Sequence, residues 1–279
     1  MKNIRAFISI IRPLNCIITF STIVVACLIC ADSIDLPLFI LAGLSGALVN
    51  AGGNIINDYF DIEIDKINRP DRPLPSGKIS LKNALSFYIY ISLFAFVIVN
   101  KINILAFSIV VVTSVMMFLY SYKLKGIPLV GNIVVSFFTG LAFLFGSVVV
   151  GNIYCGIIPA LFAFLISLMR ELVKDIEDIE GDKSVRISTY PIKYGVDKTV
   201  NIIIVIGVIL MIATTIPFLL KIYNWYYFIF VSLFVNSLLV FSAHTLKNNT
   251  SQKSLRLASN LLKLGMIFGV VSIFLGTKF

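Results

Sequence analysis

Charge is what this 279-residue sequence has least of. Asp, Glu, Lys and Arg make up 13% of it, against roughly a quarter in a soluble domain. With 58% hydrophobic residues and a mean hydropathy of +0.98, the chain cannot clothe a water-facing surface. That excludes a soluble globular enzyme, a disordered tail and a fibre, and leaves an integral membrane protein. Histidine is nearly absent (His244 alone), and the four cysteines say little. Cys27 and Cys30 form a CxxC, but inside an apolar run with no second pair and no nearby histidine, which reads as buried small hydrophobes. Acids are outnumbered by bases, giving a net charge of +9. The bases do not form runs, and they sit between apolar stretches, where positive charge sets membrane orientation. No nucleic-acid partner is expected.

A helix crosses the hydrocarbon with about 20 apolar residues at ~1.5 Å each. Nine stretches have that length: 14–31, 36–56, 82–100, 102–121, 129–150, 153–172, 199–220, 223–243 and 255–276. The weakly basic N-terminus (Lys2, Arg5, Arg12) leads into a run too long for a signal-peptide core, with no small-residue cleavage pattern after it, so the first span is read as uncleaved. The N-terminus and the segments after spans 2, 4, 6 and 8 hold nineteen of the 23 cations. The opposite side holds Lys101, Lys221 and Lys278, while Lys263 falls inside the ninth span. Cations stay on the cytoplasmic side, so the N-terminus is expected inside and the C-terminus outside. An odd number of spans requires the same.

The 14 acids are not scattered: five lie between Asp58 and Asp71 and six between Glu171 and Asp182. Both segments contain DxxDxxxD, as Asp58, Asp61 and Asp65 and again as Asp175, Asp178 and Asp182, with the second copy 117 residues and four spans after the first. Offsets of 0, 3 and 7 fall within about 60° on a helix, so each copy projects three carboxylates from one face of a helix end. Four intervening spans preserve orientation, so both clusters open on the same side. The pattern predicts an internal repeat of helical hairpins with a site between its halves. The fold expected is an all-α integral membrane protein of the cell membrane, with nine transmembrane helices in a bundle enclosing a cytoplasm-facing central cavity. Residues 1–279 form a single membrane domain whose polar site segments are 57–81 and 173–198.

Six carboxylates at a membrane surface repel one another unless a cation sits among them. Hard oxygen donors suit Mg²⁺, which takes one or two carboxylates plus substrate phosphates. Neither segment has a histidine or cysteine beside it, which argues against zinc or copper. Bases are interleaved with the acids. Arg69, Arg72 and Lys78 follow the first cluster in a loop whose three prolines stiffen it and turn it back over the site. Arg170 and Lys174 flank the second cluster, and Lys123 and Lys125 end span 4 on the same side. Acids for metal and bases for oxyanions are what a diphosphate requires.

Asn57-x-x-x-Asp61-x-x-x-Asp65 with Asp58 resembles the first aspartate-rich motif of the UbiA superfamily of intramembrane prenyltransferases, and Asp175-x-x-Asp178-x-x-x-Asp182 the second. The likeness covers nearly the whole chain, including the Arg-Pro-x-x-Pro-Ser-Gly loop between spans 2 and 3. The resemblance implies an isoprenyl diphosphate donor bound through Mg²⁺, with Asn57, Asp61, Asp65, Asp178 and Asp182 as metal ligands. Asn54, Arg72, Lys78, Lys123, Lys125 and Lys174 are the candidates for the donor's diphosphate. Tyr120-Ser-Tyr122-Lys123-Leu-Lys125 departs in spacing from the family's Tyr-then-base pattern after span 4, so either tyrosine and either lysine can take those roles. Among the family's branches, the Arg12-Pro13-Leu14-Asn15 opening and the Lys-Asp-Ile-Glu-Asp-Ile-Glu-Gly-Asp form of the second motif are most similar to the archaeal digeranylgeranylglyceryl phosphate synthases.

That branch implies transfer of a geranylgeranyl group from its diphosphate to the hydroxyl of geranylgeranylglyceryl phosphate, a lipid acceptor for which Arg12 and Asn15 are candidate contacts. A tyrosine ring, Tyr120 or Tyr122, would face the developing allylic cation. Asp58 or Asp175 would take the acceptor's proton. A quinone-precursor prenyltransferase with an aromatic acceptor shares every motif, and an acceptor assay separates it. A lipid phosphotransferase would carry further signature residues beside its acids. A cation transporter would hold its acids near the bilayer midplane, whereas these lie at one face among bases. The small residues of span 2 (Ala42, Gly43, Ser45, Gly46, Ala51, Gly52, Gly53) read first as helix packing, the aromatics of 223–230 as an interface belt, and His244 as structural. Asn132, Ser136, Asn236, Asn260 and Lys263 lie within spans as packing or acceptor contacts.

Overall fold

Short polar side chains set where the helices start. Asp35, Ser80, Asn103 and Asn224 each accept a hydrogen bond from a backbone N–H in the first turn of the helix that follows, which satisfies one of the amides a helix start leaves unpaired. In the computed structural model, which describes residues 2–184 and 188–278, the described elements are all helices joined by short turns. The helices are α1 (Lys2–Ile10), α2 (Pro13–Cys30), α3 (Leu36–Phe60), α4 (Ile62–Asn68), α5 (Leu81–Val99), α6 (Ile104–Leu119), α7 (Val130–Val149) and α8 (Ile153–Glu177). They continue as α9 (Ile179–Ser184), α10 (Tyr190–Tyr194), α11 (Val196–Leu219), α12 (Trp225–Phe230), α13 (Ser237–Asn248) and α14 (Gln252–Lys278). π-helical turns extend α6 over Tyr120–Leu124 and join α12 to α13 over Val231–Asn236.

Among the described residues, nine helical stretches are long and apolar enough to cross a membrane, in the order the sequence predicts. Spans 2 and 6 run further than expected, to Phe60 and Glu177. Each therefore carries the first aspartate of its motif inside the helix, in keeping with the helical spacing of the motif. These carboxylates have hydrogen-bonding partners, so the helix can continue past them into polar sequence. The helix α1 was not anticipated. Ala6 and Ile10 on one of its faces pack with Ile55, Leu74, Ile79 and Ala84.

The described residues form two compact units. The first comprises the described part of 1–126 with Ala142–Gly156. Its core joins Ile23, Cys27, Phe39, Ala42, Val99, Val110 and Phe145. The small residues of α3 serve packing there, as expected. A Cβ on Gly43 would lie 2.7 Å from the Phe20 ring and one on Gly46 2.1 Å from Ile23 Cδ1, both on α2. Backbone itself is approached at Gly146 of α7, where a Cβ would stand 2.6 Å from Ala26 Cβ and 2.8 Å from the Ile23 carbonyl oxygen. Backbone cannot yield as a flexible side chain can, so Gly146→Ala is expected to cost about 1–3 kcal/mol. The check is the thermal midpoint of the purified protein in detergent, and an unchanged midpoint would contradict the close α2–α7 contact.

The cysteines depart from the expectation. Cys27 is fully buried and its thiol reaches the Gly146 carbonyl, but Cys30 forms a disulfide with Cys155 at the start of α8. The CxxC is not a pair, because the partner of Cys30 comes from 125 residues along the chain.

The second unit comprises Ile127–Leu141, Ile157–Lys183 and the described part of 187–279. The aromatic run at 223–230 divides by helical phase. Trp225 and Tyr226 are exposed as an interface belt would be, while Tyr223 and Tyr227 are buried. The Tyr227 hydroxyl donates to the Thr214 carbonyl at 2.7 Å, which satisfies the polar tip of a fully buried ring. His244 is exposed and lies 2.8 Å from the Asn248 amide, a local contact that fits the structural role expected of it.

Candidate active site

The first acid motif closes on bases from three directions. Asp58 on α3, 2% exposed, accepts hydrogen bonds from Arg12 at 2.5 Å and from Arg72 at 3.2 Å. Arg72 also donates to Asp65 at 2.6 Å, so one guanidinium from the proline-rich loop bridges two aspartates. The loop thus folds back onto the acids, as its prolines predict. Asp61 accepts from Asn57 at 2.7 Å and forms a close ion pair with Lys125. The i, i+4 bonds from Asp61 N to Asn57 O and from Asp65 N to Asp61 O keep the helical spacing across the break between α3 and α4, so the three carboxylates share one face.

Local geometry explains how the bases arrive. Arg12 has φ 53°, a left-handed conformation that costs a non-glycine residue about 1–3 kcal/mol. It ends α1 and starts α2 with Pro13 in the first turn, and its side chain spans the corner to Asp58. The π-helical turn at the end of α6 closes with the Lys125 N–H donating to the Tyr120 carbonyl at 3.1 Å. That wider turn accommodates an extra residue, and Lys125, not Lys123, pairs with α3.

The second motif repeats the helical arrangement. Asp178 N bonds Lys174 O at 2.9 Å and Asp182 N bonds Asp178 O at 3.0 Å, and the long helix again breaks at the second aspartate. Asp182 is buried. Asp175 accepts a hydrogen bond from the Asn132 amide at 2.9 Å. Lys174 pairs with Glu171 at 2.5 Å, and Glu177 receives Arg256 at 3.1 Å.

Several predicted contacts occupy other places. Asn54 spends its amide on the Ile11 carbonyl and on Asn50, tying the end of α1 to α3. Lys78 donates to the Asp71 carbonyl and closes the loop. Lys123 is exposed. Tyr122 is exposed and packs on the rings of Phe118 and Phe60, whereas Tyr120 is half-buried. Asn15 is half-buried beside the Arg12 corner. Sequence reasoning left Asn132 unassigned. Its signal was its position, the same 117-residue offset that relates the aspartates and makes it the repeat counterpart of Asn15.

Among the described residues, no three His, Cys, Asp or Glu side chains cluster as a metal cage. The donor set nonetheless fits Mg²⁺. Asp61 and Asp65 are both 5% exposed, and their bonds to Asn57, Lys125 and Arg72 all fall on Oδ2. Each thus keeps a carboxylate oxygen of the hard kind that Mg²⁺ takes singly or in pairs.

A profile of the UbiA prenyltransferase family matches residues 18–267. The digeranylgeranylglyceryl phosphate synthase of Methanosphaera stadtmanae is 35% identical over 97% of this chain and 98% of its own length. That of Thermococcus kodakarensis is 38% identical over 96% of both chains. A solved structure of a digeranylgeranylglyceryl phosphate synthase matches at a TM-score of 0.78 and 34% identity, covering 99% of each chain. A UbiA homologue from Archaeoglobus fulgidus, solved with GPP and Mg²⁺, shares the fold at a TM-score of 0.70 and 17% identity, over 96% of this chain and 99% of its own.

Proposed function

The chain belongs to the UbiA prenyltransferase family, and on that footing we propose that it transfers a geranylgeranyl group from geranylgeranyl diphosphate to the hydroxyl of geranylgeranylglyceryl phosphate. The observation that carries this reading is the alternation of buried acids and bases at the first motif. Asp58, Asp61 and Asp65 meet Arg12, Arg72 and Lys125 in one place, which serves both a metal ion and the diphosphate it binds. Relatives of full-length similarity carry the name of that reaction's product.

In this reading Asn57, Asp61 and Asp65 would hold Mg²⁺ at the first motif, and Asp178 and Asp182 would hold it at the second. Bound Mg²⁺ supplies charge neutralisation that makes diphosphate a better leaving group. Arg72 would keep Asp58 and turn from Asp65, and Lys125 would turn from Asp61, towards the diphosphate oxygens, keeping the negative charge compensated. Arg12 at the corner before α2 and Asn15 in its first turn would take the phosphate of the lipid acceptor. The half-buried Tyr120 is the better of the two tyrosines to face an allylic cation, since Tyr122 lies on the outer surface with Phe118. The apolar spans keep bulk water from the cation. The cation bias puts the acid motifs and the N-terminus on the cytoplasmic side.

The test uses the purified protein in detergent with labelled geranylgeranyl diphosphate, with and without Mg²⁺. Geranylgeranylglyceryl phosphate and 4-hydroxybenzoate are offered side by side. Mg²⁺-dependent label in the glyceryl lipid is the expected result. Label in the aromatic acid would keep the donor chemistry and reject the acceptor, and an intact diphosphate under all conditions would reject both.

A further inference from the structure

The two acid motifs are copies, and the places where they differ single out one carboxylate. At the 117-residue offset, Arg12 corresponds to Leu129, Asn15 to Asn132, Asp58 to Asp175 and Arg72 to Thr189. The backbones agree closely. Arg12 and Leu129 are both left-handed, with φ 53° and 67°. Helices then begin at Pro13 and Val130, next at Leu36 and Ile153, and break at Asp61 and Asp178.

Charge compensation does not follow the repeat. Asp58 has two guanidinium partners, Arg12 and Arg72. At the second copy both positions have lost the cation. Leu129 is apolar, and the buried hydroxyl of Thr189 has no hydrogen-bond partner among the described residues. Among the described residues Asp175 instead receives one donor, the neutral Asn132 Nδ2, on its Oδ2 at 2.9 Å. Asn132 is 7% exposed, and the turn it occupies is tied by Ser136 Oγ to the Asn132 carbonyl at 2.6 Å. A carboxylate shared by two guanidiniums has its charge and lone pairs committed. One held through a single oxygen by a neutral amide keeps its second oxygen for another proton.

We propose that Asp175 accepts the proton of the lipid hydroxyl and that Asn132 is the positioning residue that fixes it for this task, an inference that rests on the prenyl-transfer reading above. The hydroxyl proton passes to Asp175 Oδ1. The oxygen's electron pair forms the new carbon–oxygen bond at the allylic carbon, and the pair of the broken carbon–oxygen bond leaves with diphosphate. Asp175 then returns the proton to water. Asn132 holds Oδ2, so the carboxylate cannot turn away between these steps. Asp58, between its two arginines, has the structural role of its copy.

The experiment compares Asn132→Ala, Asn132→Asp (the same shape without the donor) and Asp175→Asn in the full-length protein. It follows both transferred label and prenyl alcohol formed by capture of water, with thermal midpoints as the check on folding. Loss of Asn132 is expected to lower kcat for transfer about tenfold, and Asp175→Asn on the order of a hundredfold or more. The donor KM and the Mg²⁺ concentration at half-activity should stay within about twofold, since proton removal precedes neither. Combining Asn132→Ala with Asp175→Asn should add nothing to Asp175→Asn alone, because both act on one group. A folded Asn132→Ala protein with wild-type kcat would overturn the proposal. So would a shift in Mg²⁺ half-activity that follows the loss of rate, which would place the pair in the metal set. Wild-type label appearing only in 4-hydroxybenzoate would reject the lipid acceptor, and the same variants would then read the pair on that hydroxyl.

Discussion

Asp61→Asn and Asp182→Asn are each expected to remove Mg²⁺-dependent turnover, by on the order of a thousandfold or more, while leaving a folded helical bundle. Asn keeps the size of Asp but loses the charge, and Mg²⁺ takes carboxylate oxygen in preference to amide. At Asp61 the substitution also frees Lys125, whose side chain is 31% exposed and can find water, so the structural penalty is modest. The matched control is Glu63, which lies between Asp61 and Asp65, has a side chain 70% exposed and pairs only with Lys66. Exposed pairs of that kind contribute about 0–1 kcal/mol, so Glu63→Gln should match the wild-type protein in both rate and thermal midpoint. A Mg²⁺ titration of turnover on the four proteins is the measurement. Full activity in Asp61→Asn or Asp182→Asn would remove the reason for placing metal at the motifs.

Much of this site is legible in the sequence because it is built from local spacing. The DxxDxxxD offsets fix three carboxylates on one helix face before any tertiary contact is known, and the prolines around Arg72 fix a returning loop. The span order follows from hydropathy alone. What escaped depends on partners far along the chain. Cys30 reads as an apolar residue in an apolar run until α8 brings Cys155 to it. Lys123 and Lys125 are equal in sequence, and only the π-helical turn decides which one meets Asp61. Asn54, next to the motif, looked like a ligand for diphosphate but anchors the Ile11 carbonyl. The repeat itself was visible, yet its most informative feature, the replacement of Arg12 and Arg72 by Leu129 and Thr189, matters only once Asp58 is seen to hold both arginines.

Opening the Cys30–Cys155 bond lowers stability by about 2–5 kcal/mol. The bond closes a loop of 125 residues that contains the whole first acid motif, and long loops gain the most from closure in the chain-entropy account. Helices that persist in detergent after unfolding restrict the open chain already, which keeps the effect towards the lower end. The bond also bears on orientation. Cys155 lies in the first turn of α8 and Glu177 closes the helix, and at ~1.5 Å per residue the two lie roughly 33 Å apart, about one hydrocarbon thickness. Asp175 and Asp178 are at the end remote from the disulfide. Disulfides persist on the oxidising side of a membrane, so the proposed cytoplasmic placement of the acids puts this bond outside, where it can last. Maleimide labelling of the denatured, unreduced protein should count two thiols, Cys16 and Cys27, and four after reduction. Cys30→Ser should lower the thermal midpoint by several degrees without changing Mg²⁺ half-activity, since it acts a membrane's width from the motifs. A membrane-impermeant reductant on intact cells should open the bond. If only a permeant reductant does so, the bond faces inward and the acids outward, and the orientation drawn from the cations is reversed.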